Sequence, residues 1–376
     1  MPGMPKAQET QFEIDLNALE ANYRYLRGKL NAGVKFLAVV KAFSYGHDAR
    51  VIAARLEKLG VDYLAVAYLQ EGISLREEGI KTPILVLHPS PVNFEALMEY
   101  QLEPSLYSPR VLKLFLEKAA GLGRQAYPVH LKFNTGLNRL GFGENDVPLI
   151  IKSLNGQDAL KVVSVFSHLA ATEDPDENEF TRKQIKAFDE VSQKLISGIT
   201  ETPMRHLLNT SGILNFGEAQ YDMVRSGIGL YGYGNDAIAD AALSPVGTLK
   251  TVISQLHQIA PGESVGYNRG YVAGSTRVTA TLPIGHADGI GRHYGRGRGF
   301  VYINGHKAPI VGNVCMDMIM VDVTGITCSE GDEVLVFGKN APAETLAAAA
   351  GTISYELLTG ISQRIKRIVL GQTNAN

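Results

Sequence analysis

Short apolar runs alternate with longer amphipathic stretches over the first two-thirds of the chain. Eight runs have the length and the β-branched or aromatic content of buried strands, at residues 36–40, 63–67, 84–87, 104–107, 129–133, 162–166, 205–208 and 223–228. The spacing leaves room for a helix between successive strands, which a parallel sheet requires. The pattern predicts an α/β fold in which residues 1–240 form a TIM-type (β/α)8 barrel. An open, doubly wound sheet is the alternative arrangement.

Polar residues mark the expected ends of two helices. Asp15 is placed to cap a helix that precedes the first strand, and Asp48 to cap the helix that follows that strand. Gly60 is placed to end the second helix, because glycine readily adopts the left-handed conformation common at helix C-termini.

The pattern of apolar and polar residues changes after about residue 240. Short strand-like runs follow at residues 277–282, 300–303, 309–311, 318–323 and 333–337. Asn304 and Gly305 separate two of these runs and predict a tight hairpin, because both residue types tolerate positive φ. We expect residues 241–376 to form a mainly-β domain with short helices near 343–350 and 355–359. The first 14 or so residues are expected to pack with this domain.

Net charge, cysteine content and the lengths of the apolar runs argue against several classes of protein. The 376 residues carry 36 Lys and Arg against 38 Asp and Glu, a net charge of −2. A nucleic-acid or membrane-surface binder needs a basic excess or stripe, so neither is expected. Cys315 and Cys328 have no metal-type spacing and are too few for a disulfide framework. Because no signal peptide or bilayer-spanning run is found, we expect a cytoplasmic protein.

Five polar residues lie at or near the ends of the predicted strands: Lys41, Lys132, His168, Asn209 and Arg225. In a (β/α)8 barrel the carboxyl ends of all strands meet on one face, where active sites form. The sequence therefore predicts that these side chains share one site.

Lys41 follows the first predicted strand directly. A lysine that ends a buried strand is partly desolvated, which lowers the pKa of its amine and makes the amine a better nucleophile. A lysine whose side chain simply reaches from the strand end into solvent is the alternative.

The run from residue 38 to residue 47, AVVKAFSYGH, resembles the cofactor-lysine segment of alanine racemases, which reads AVVKAxAYGHG. Further segments resemble other parts of that family in the same order. They are HLKFNTGLNRLGF at 130–142, SVFSH at 164–168, HLLNT at 206–210, DMVRSGIGLYG at 222–232, VGY at 265–267, CMD at 315–317 and ISYE at 353–356. Each segment alone is a weak signal, but their number and order make the resemblance specific.

The resemblance implies an isomerase that interconverts L-alanine and D-alanine on pyridoxal 5′-phosphate and supplies D-alanine for peptidoglycan. It implies that Lys41 holds the cofactor as a Schiff base and serves as one acid/base group. Tyr267 from the partner subunit of a homodimer is implied as the other, since the α-proton leaves one face and returns to the opposite face. A half-buried aromatic of the β domain is the alternative for Tyr267. His168 and nearby arginines are candidates for stabilising its phenolate.

The resemblance also assigns the remaining site residues. Arg225 is placed beside the pyridine nitrogen, where a guanidinium can only donate and so discourages transamination. The other cofactor-binding residues are Tyr45, His168, Asn209, Thr210, Gly227, Ile228 and Tyr355, with Ser211 as the alternative hydroxyl to Thr210. Arg139 and Met316, the latter from the partner, are expected near the substrate carboxylate. Lys132 is expected to be carbamylated, and a plain lysine with a displaced side chain is the alternative.

The chain departs from the family pattern at four positions. Asn134 replaces the usual Asp, Asn138 stands where Gly is frequent, and Asn313 stands where Arg is common. His286 replaces a tyrosine of the substrate access path. Histidine titrates near neutrality, so we expect His286 to make turnover respond to pH there. Serine or other small amino acids stay open as substrates.

Two other classes of pyridoxal-phosphate protein share part of this architecture. Pyridoxal-phosphate decarboxylases share the architecture but place a carboxylate at the pyridine nitrogen, which argues against them because Arg225 stands there. Single-barrel cofactor carriers lack the β domain that contains Tyr267 and the CMD segment. The racemase reading is therefore favoured.

Overall fold

The computed structural model describes residues 7–235 and 237–371, and the chain divides into two compact units. The barrel unit consists of the described residues in Glu20–Ser44 and Ala49–Leu243. The sheet unit consists of the described residues in Met1–Leu19, Tyr45–Asp48 and Ser244–Asn376.

The barrel unit is built around eight parallel strands that close on themselves. In chain order they are Lys35–Val39, Tyr63–Val66, Ile84–Val86, Glu103–Leu106, Tyr127–Lys132, Leu160–Phe166, Met204–His206 and Met223–Ser226. The first strand pairs with the last, with Leu37 opposite Arg225, and this pairing closes the ring. The predicted (β/α)8 barrel is thus confirmed, and the open sheet is excluded.

All eight predicted strands are present, and their ends differ by a few residues. Leu207, Leu208 and Ile228 were predicted within strands but lie beyond the strand ends, although the carbonyl of Leu208 still accepts the N–H of Arg225 at 3.0 Å. All three are nevertheless buried. An apolar run indicates that a segment is buried but not that it pairs as a strand, so the apolar runs continue past the strand ends.

Helices connect the barrel strands or flank them. Through the N-terminal two-thirds of the chain they are Leu16–Arg27, Lys41–Gly46, Ala49–Lys58, Leu69–Glu77, Phe94–Glu99, Pro109–Gly121, Val147–Leu154, Asn178–Ile196, Thr210–Asn215 and Ala237–Ala242. Asp15 caps the first of them as predicted, since its Oδ1 accepts the N–H groups of Asn17 (2.9 Å) and Ala18 (3.2 Å). Among the described residues, no helix is both long and apolar enough to cross a bilayer.

The sheet unit contains a nine-stranded sheet. From edge to edge its strands are Gln255–Ile259, Arg277–Leu282, Ile319–Asp322, His306–Val311, Phe300–Ile303, Glu333–Phe337, Gly247–Val252, Gln11–Asp15 and Lys366–Leu370. The strands Ser264–Val265 and Tyr271–Val272 form a separate hairpin, and the helices are Ala343–Ala349 and Ser354–Thr359. Asn304 and Gly305 have φ of 49° and 80°, so the predicted hairpin between Phe300–Ile303 and His306–Val311 is confirmed.

Four strands of this sheet were not predicted: Gln11–Asp15, Gly247–Val252, Gln255–Ile259 and Lys366–Leu370. The first of them alternates buried Phe12 and Ile14 with polar residues. Gln255–Ile259 is an edge strand with little buried surface, so it lacks the apolar run from which the other strands were recognised.

Candidate active site

Lys41 begins an unusual turn directly after the first barrel strand. Residues 42–45 all have positive φ, between 51° and 54°, so the turn winds in the left-handed sense. This conformation costs L-residues about 1–2 kcal/mol each, and surrounding contacts must therefore hold it. One such contact is the carboxylate of Glu71, whose Oε1 accepts the N–H of Ala42 at 2.6 Å.

The environment of Lys41 makes its amine less basic than that of an exposed lysine. Burial lowers the pKa of Lys41, Arg139 lowers it further, and Glu71 opposes the shift. The same Glu71 carboxylate accepts the N–H groups of Ala67 (2.7 Å) and Tyr68 (3.1 Å). Glu71 thus joins the end of the second strand to the turn that carries Lys41. Sequence reasoning missed this residue, because an acidic residue in the first turn of a helix is ordinary.

Lys132 ends the fifth barrel strand and is only 6% exposed. Its Nζ lies 5.9 Å from the centre of the Phe166 ring and makes no hydrogen bond within the described residues. Burial lowers the pKa of Lys132 to about 8, and Arg139, Arg225 and Lys41 contribute to the shift. The neutral fraction of this amine near physiological pH is therefore much larger than that of an ordinary lysine, although the protonated form still predominates.

The loop before Arg139 is held by two asparagines that depart from the family pattern. Asn134 Oδ1 accepts the N–H groups of Gly136 (3.2 Å) and Asn138 (2.9 Å), while its Nδ2 donates to Asn138 Oδ1 (2.9 Å). Asn138 has φ of 56°, which asparagine tolerates better than most residues and which explains why Gly is frequent there. Arg139 itself is exposed.

Arg225 lies in the last barrel strand and is 5% exposed. Its Nη1 donates to Nδ1 of His206 (2.6 Å), and its Nη2 donates to the carbonyls of Ser167 (2.7 Å) and Leu207 (2.9 Å) and lies 3.2 Å from Nδ1 of His168. Burial lowers the pKa of Arg225 to about 9, which leaves the guanidinium protonated at neutral pH. Within the described residues its Nε–H has no hydrogen-bond partner.

The two histidines beside Arg225 are neutral. Burial is the main cause that lowers the pKa of His168 and of His206 well below the ordinary value, and the charge of Arg225 adds to it. Each ring therefore accepts through Nδ1 and carries its proton on Nε2.

Small and hydroxyl-bearing residues follow the last two strands. Asn209 caps the helix Thr210–Asn215, and its Oδ1 accepts the N–H of Gly212 at 2.9 Å. Thr210 Oγ1 accepts the N–H of Gly229 (3.2 Å) and lies 3.0 Å from Ser226 Oγ. A Cβ on Gly229 would come within 2.5 Å of the Thr210 methyl group, so the backbone after the last strand approaches Thr210 closely. Gly227 and Ile228 belong to this same turn.

Ser211, the alternative hydroxyl, is already engaged. Its Oγ accepts from Nδ2 of Asn235 at 3.0 Å, and the side chain is buried. Thr210 and Ser211 thus both have hydrogen-bond partners, and Thr210 differs in contacting the backbone of Gly229 after the last strand.

In the sheet unit, Tyr267 and Met316 line one cleft of about 520 Å³. Tyr267 is 73% exposed, and its phenol has no partner among the described residues. Its backbone belongs to a strained turn in which Asn268 and Arg269 have φ of 54° and 49°. Asn313 holds this turn by donating from Nδ2 to the carbonyl of Tyr267 at 2.9 Å.

The remaining predicted residues of the sheet unit lie in two places. Tyr45 is buried, and its ring centre lies 6.0 Å from that of Tyr355. His286 is exposed, and its N–H donates to the carbonyl of Cys315 at 2.9 Å, next to Met316.

The structure therefore gathers the predicted residues within each unit. In the barrel unit, Lys41, Lys132, Arg139, His168 and Arg225 are close enough for their charges to act on one another. In the sheet unit, Tyr267 shares a cleft with Met316, and Tyr45 contacts Tyr355. The described residues contain no cluster of three or more His, Cys, Asp or Glu suited to a metal ion.

Comparison with known proteins gives a consistent result over nearly the whole chain. Residues 14–235 match the family model "Alanine racemase, N-terminal domain", and residues 246–369 match "Alanine racemase, C-terminal domain". The chain is 37% identical over 366 residues to an alanine racemase of Halothermothrix orenii, covering 95% of this chain and 96% of the relative. It is 37% identical over 372 residues to an alanine racemase of Symbiobacterium thermophilum, with 97% and 98% covered.

Solved structures agree with the sequence comparisons. The alanine racemase of Streptomyces coelicolor is similar with a TM-score of 0.91 and 30% identity, covering 97% of this chain and 99% of that one. The alanine racemase of Bartonella henselae, solved with covalently bound pyridoxal phosphate, gives a TM-score of 0.89 and 30% identity, with 97% and 100% covered.

Proposed function

The chain belongs to the alanine racemase family of isomerases, and on that premise we propose that it interconverts L- and D-alanine by proton transfer between Lys41, Tyr267 and the substrate. The observation that carries the proposal is the setting of Arg225. A buried, donor-only guanidinium with a free Nε–H suits a pyridine nitrogen that has no proton. A carboxylate in place of Arg225 would instead favour a protonated pyridine nitrogen and a longer-lived negative charge on the substrate, which permits reactions such as transamination.

The residues present fit pyridoxal 5′-phosphate. Lys41, with its lowered pKa, supplies the amine that would hold the cofactor covalently. Thr210 and the backbone N–H groups of Gly227 and Ile228 would hold the phosphate, because the turn at Gly229 brings backbone close to the Thr210 side chain. When bound, the cofactor supplies the electron sink that lowers the barrier to removing an α-proton.

Four further residues are proposed to contact the cofactor or to position the groups that do. The family resemblance assigns Tyr45 and Tyr355, whose ring centres lie 6.0 Å apart, to the phosphate as well. His168 is neutral and would stack on the ring while it accepts from Arg225, and Asn209 fixes the backbone at Thr210 by capping that helix.

The protein residues divide the proton transfers between two faces. Nζ of Lys41 would remove or return the α-proton on one face, and Oη of Tyr267 would do so on the other. The exposed phenol of Tyr267 supports its assignment to the site of a second subunit in a homodimer, together with the neighbouring Met316. Arg139 would pair with the substrate carboxylate, since it is exposed and its charge reaches Lys41.

Lys132 is proposed to be carbamylated. An ammonium there would repel Arg139, Arg225 and Lys41, whereas a carbamate would attract the two arginines. The lowered pKa of Lys132 supports the modification, because only a neutral amine adds carbon dioxide. We further propose a cytoplasmic enzyme that supplies D-alanine for peptidoglycan, a role taken from the family.

One experiment tests the proposed function directly. The purified protein is incubated with L-alanine in deuterium oxide, and D-alanine is followed together with deuterium at Cα. We expect both to appear, because proton exchange at Cα accompanies inversion. Bound cofactor without any D-alanine would contradict the proposal and point to a different amino acid or to a carrier protein.

A further inference from the structure

A continuous row of hydrogen bonds crosses the barrel interior from Arg225 to Glu103. Arg225 Nη1 lies 2.6 Å from Nδ1 of His206, and Nε2 of His206 lies 2.9 Å from Oγ of Ser164. That Oγ lies 2.6 Å from Nδ1 of His130, whose Nε2 lies 2.7 Å from Oε2 of Glu103. The five side chains come from five consecutive barrel strands. We call these five residues the polar row.

The polar row has one arrangement of protons that satisfies every member. Arginine can only donate, so His206 accepts at Nδ1 and donates from Nε2 to Ser164. If the Ser164 hydroxyl then donates to Nδ1 of His130, that ring donates from Nε2 to the carboxylate of Glu103, which can only accept. Any other assignment leaves the buried Ser164 hydroxyl proton without an acceptor, a cost of about 1–3 kcal/mol.

The polar row has a cation, Arg225, at one end and an anion, Glu103, at the other. Among the described residues Arg225 has no carboxylate in contact, and its hydrogen-bond partners are two neutral histidines and two carbonyls. His130, Ser164 and His206 are fully buried, whereas the side chain of Glu103 is 13% exposed at the far end. The carboxylate of Glu103 is thus the anion to which the guanidinium is connected through hydrogen bonds.

We propose that Glu103 is a positioning residue for Arg225 and acts on it through His130, Ser164 and His206. The inference rests on the proposed function, in which Arg225 donates to the pyridine nitrogen. Glu103 can only accept at the end of the row, so His130 and His206 each donate from Nε2. Each ring then accepts through Nδ1, the nitrogen for His130 that faces Ser164 and for His206 that faces Arg225. The guanidinium is thereby kept in one orientation, since His206 cannot turn without breaking two bonds. The position of Glu103 at the start of its strand gave the sequence analysis no sign of this role.

The protonation pattern can be measured without any turnover. In full-length protein labelled with ¹⁵N-histidine, NMR distinguishes a neutral ring with Nε2–H from one with Nδ1–H and from a doubly protonated ring. We expect His130 and His206 both to be neutral with Nε2–H, and the signals of both to shift in Glu103→Ala. A doubly protonated His130, or a His206 signal that ignores Glu103→Ala, would overturn the proposal.

A double-mutant cycle tests whether Glu103 acts through the row. We expect Glu103→Gln, which keeps an acceptor but removes the charge, and Ser164→Ala each to lower kcat about tenfold, because small displacements of a group that contacts the reacting ring are costly. In the Ser164→Ala background, Glu103→Gln should then have no further effect, whereas multiplied losses would refute transmission through Ser164.

The surface carboxylate Glu144, which pairs with Lys194, provides the matched control, and Glu144→Gln should leave kcat unchanged. Failure of the proposed function is distinguishable, because wild-type protein without D-alanine production would still give the histidine signals.

Discussion

Asn313 donates its side-chain N–H to the backbone carbonyl of Tyr267 at 2.9 Å and accepts from Nε of Arg296 at 3.1 Å. The two partners fix the orientation of the amide, since one requires an acceptor and the other a donor. A Cβ on Gly270 would lie 2.8 Å from the same amide nitrogen, so the turn packs directly on Asn313. A residue that departs from the family pattern therefore supports the turn that carries the proposed catalytic phenol.

Asn313→Asp should impair proton transfer by Tyr267. The aspartate cannot donate to the carbonyl of Tyr267, and two acceptors would face each other at a partly buried position. We expect kcat to fall about tenfold, since small displacements of a reacting group are costly. Hydrogen exchange in the segment around Tyr267 should become faster.

Asn155→Asp is the matched control for that variant. It removes the same kind of bond, from Nδ2 to the carbonyl of Gly198, on the surface of the barrel unit. Equal kcat in the two variants would contradict a specific role for Asn313.

Glu71→Gln should destabilise the turn that carries Lys41. Glutamine offers one acceptor oxygen in place of two, and its amide N–H groups would face the backbone N–H groups of Ala42 or Ala67. We expect the free energy of unfolding to fall by about 2–3 kcal/mol, measured by urea denaturation. Glu77→Gln alters an exposed residue of the same helix and should leave the midpoint unchanged. Indistinguishable midpoints for the two variants would count against the role of Glu71.

Carbamylation of Lys132 should depend on pH. Burial and the nearby cations hold the pKa of Lys132 at about 8, below its ordinary value, so the reactive neutral amine increases as the pH rises through that value. We expect bicarbonate to activate protein prepared free of carbon dioxide more strongly one pH unit above this pKa than one unit below. Intact mass should show one added carbon dioxide, and Lys132→Gln should not respond. A fully active protein with an unmodified Lys132 would refute the modification.

Arg225→Glu should change the reaction rather than only slow it. A carboxylate in place of the guanidinium accepts a hydrogen bond, so it would favour a protonated pyridine nitrogen and a longer-lived negative charge on the substrate. We expect up to one pyruvate per active site to form from alanine, with the amino group transferred to the cofactor, while racemisation falls. The pyruvate is measured with lactate dehydrogenase and NADH. Arg225→Lys keeps a donor-only cation and should form no pyruvate. Pyruvate formation by both variants would argue against the proposed role of this position.

Much of the architecture could be predicted from local patterns. The eight barrel strands, the Asp15 cap and the hairpin at Asn304 and Gly305 each leave a signal within a few residues, because burial, capping and positive φ are local requirements. The strand Gln255–Ile259 was not predicted, because an edge strand takes its structure from its neighbour rather than from its own composition.

The candidate site, too, was predicted only in part from the sequence. The sequence by itself determined the family, the set of candidate residues and their placement at strand ends, since motif order and strand position are properties of the linear chain. Only the tertiary structure decided that Glu71 holds the Lys41 turn, that Asn313 holds the Tyr267 turn and that Glu103 is connected to Arg225. These contacts join residues distant in sequence through individual hydrogen bonds or, for Glu103, through a row of four. The direction of each bond depends on atomic positions that no local pattern specifies.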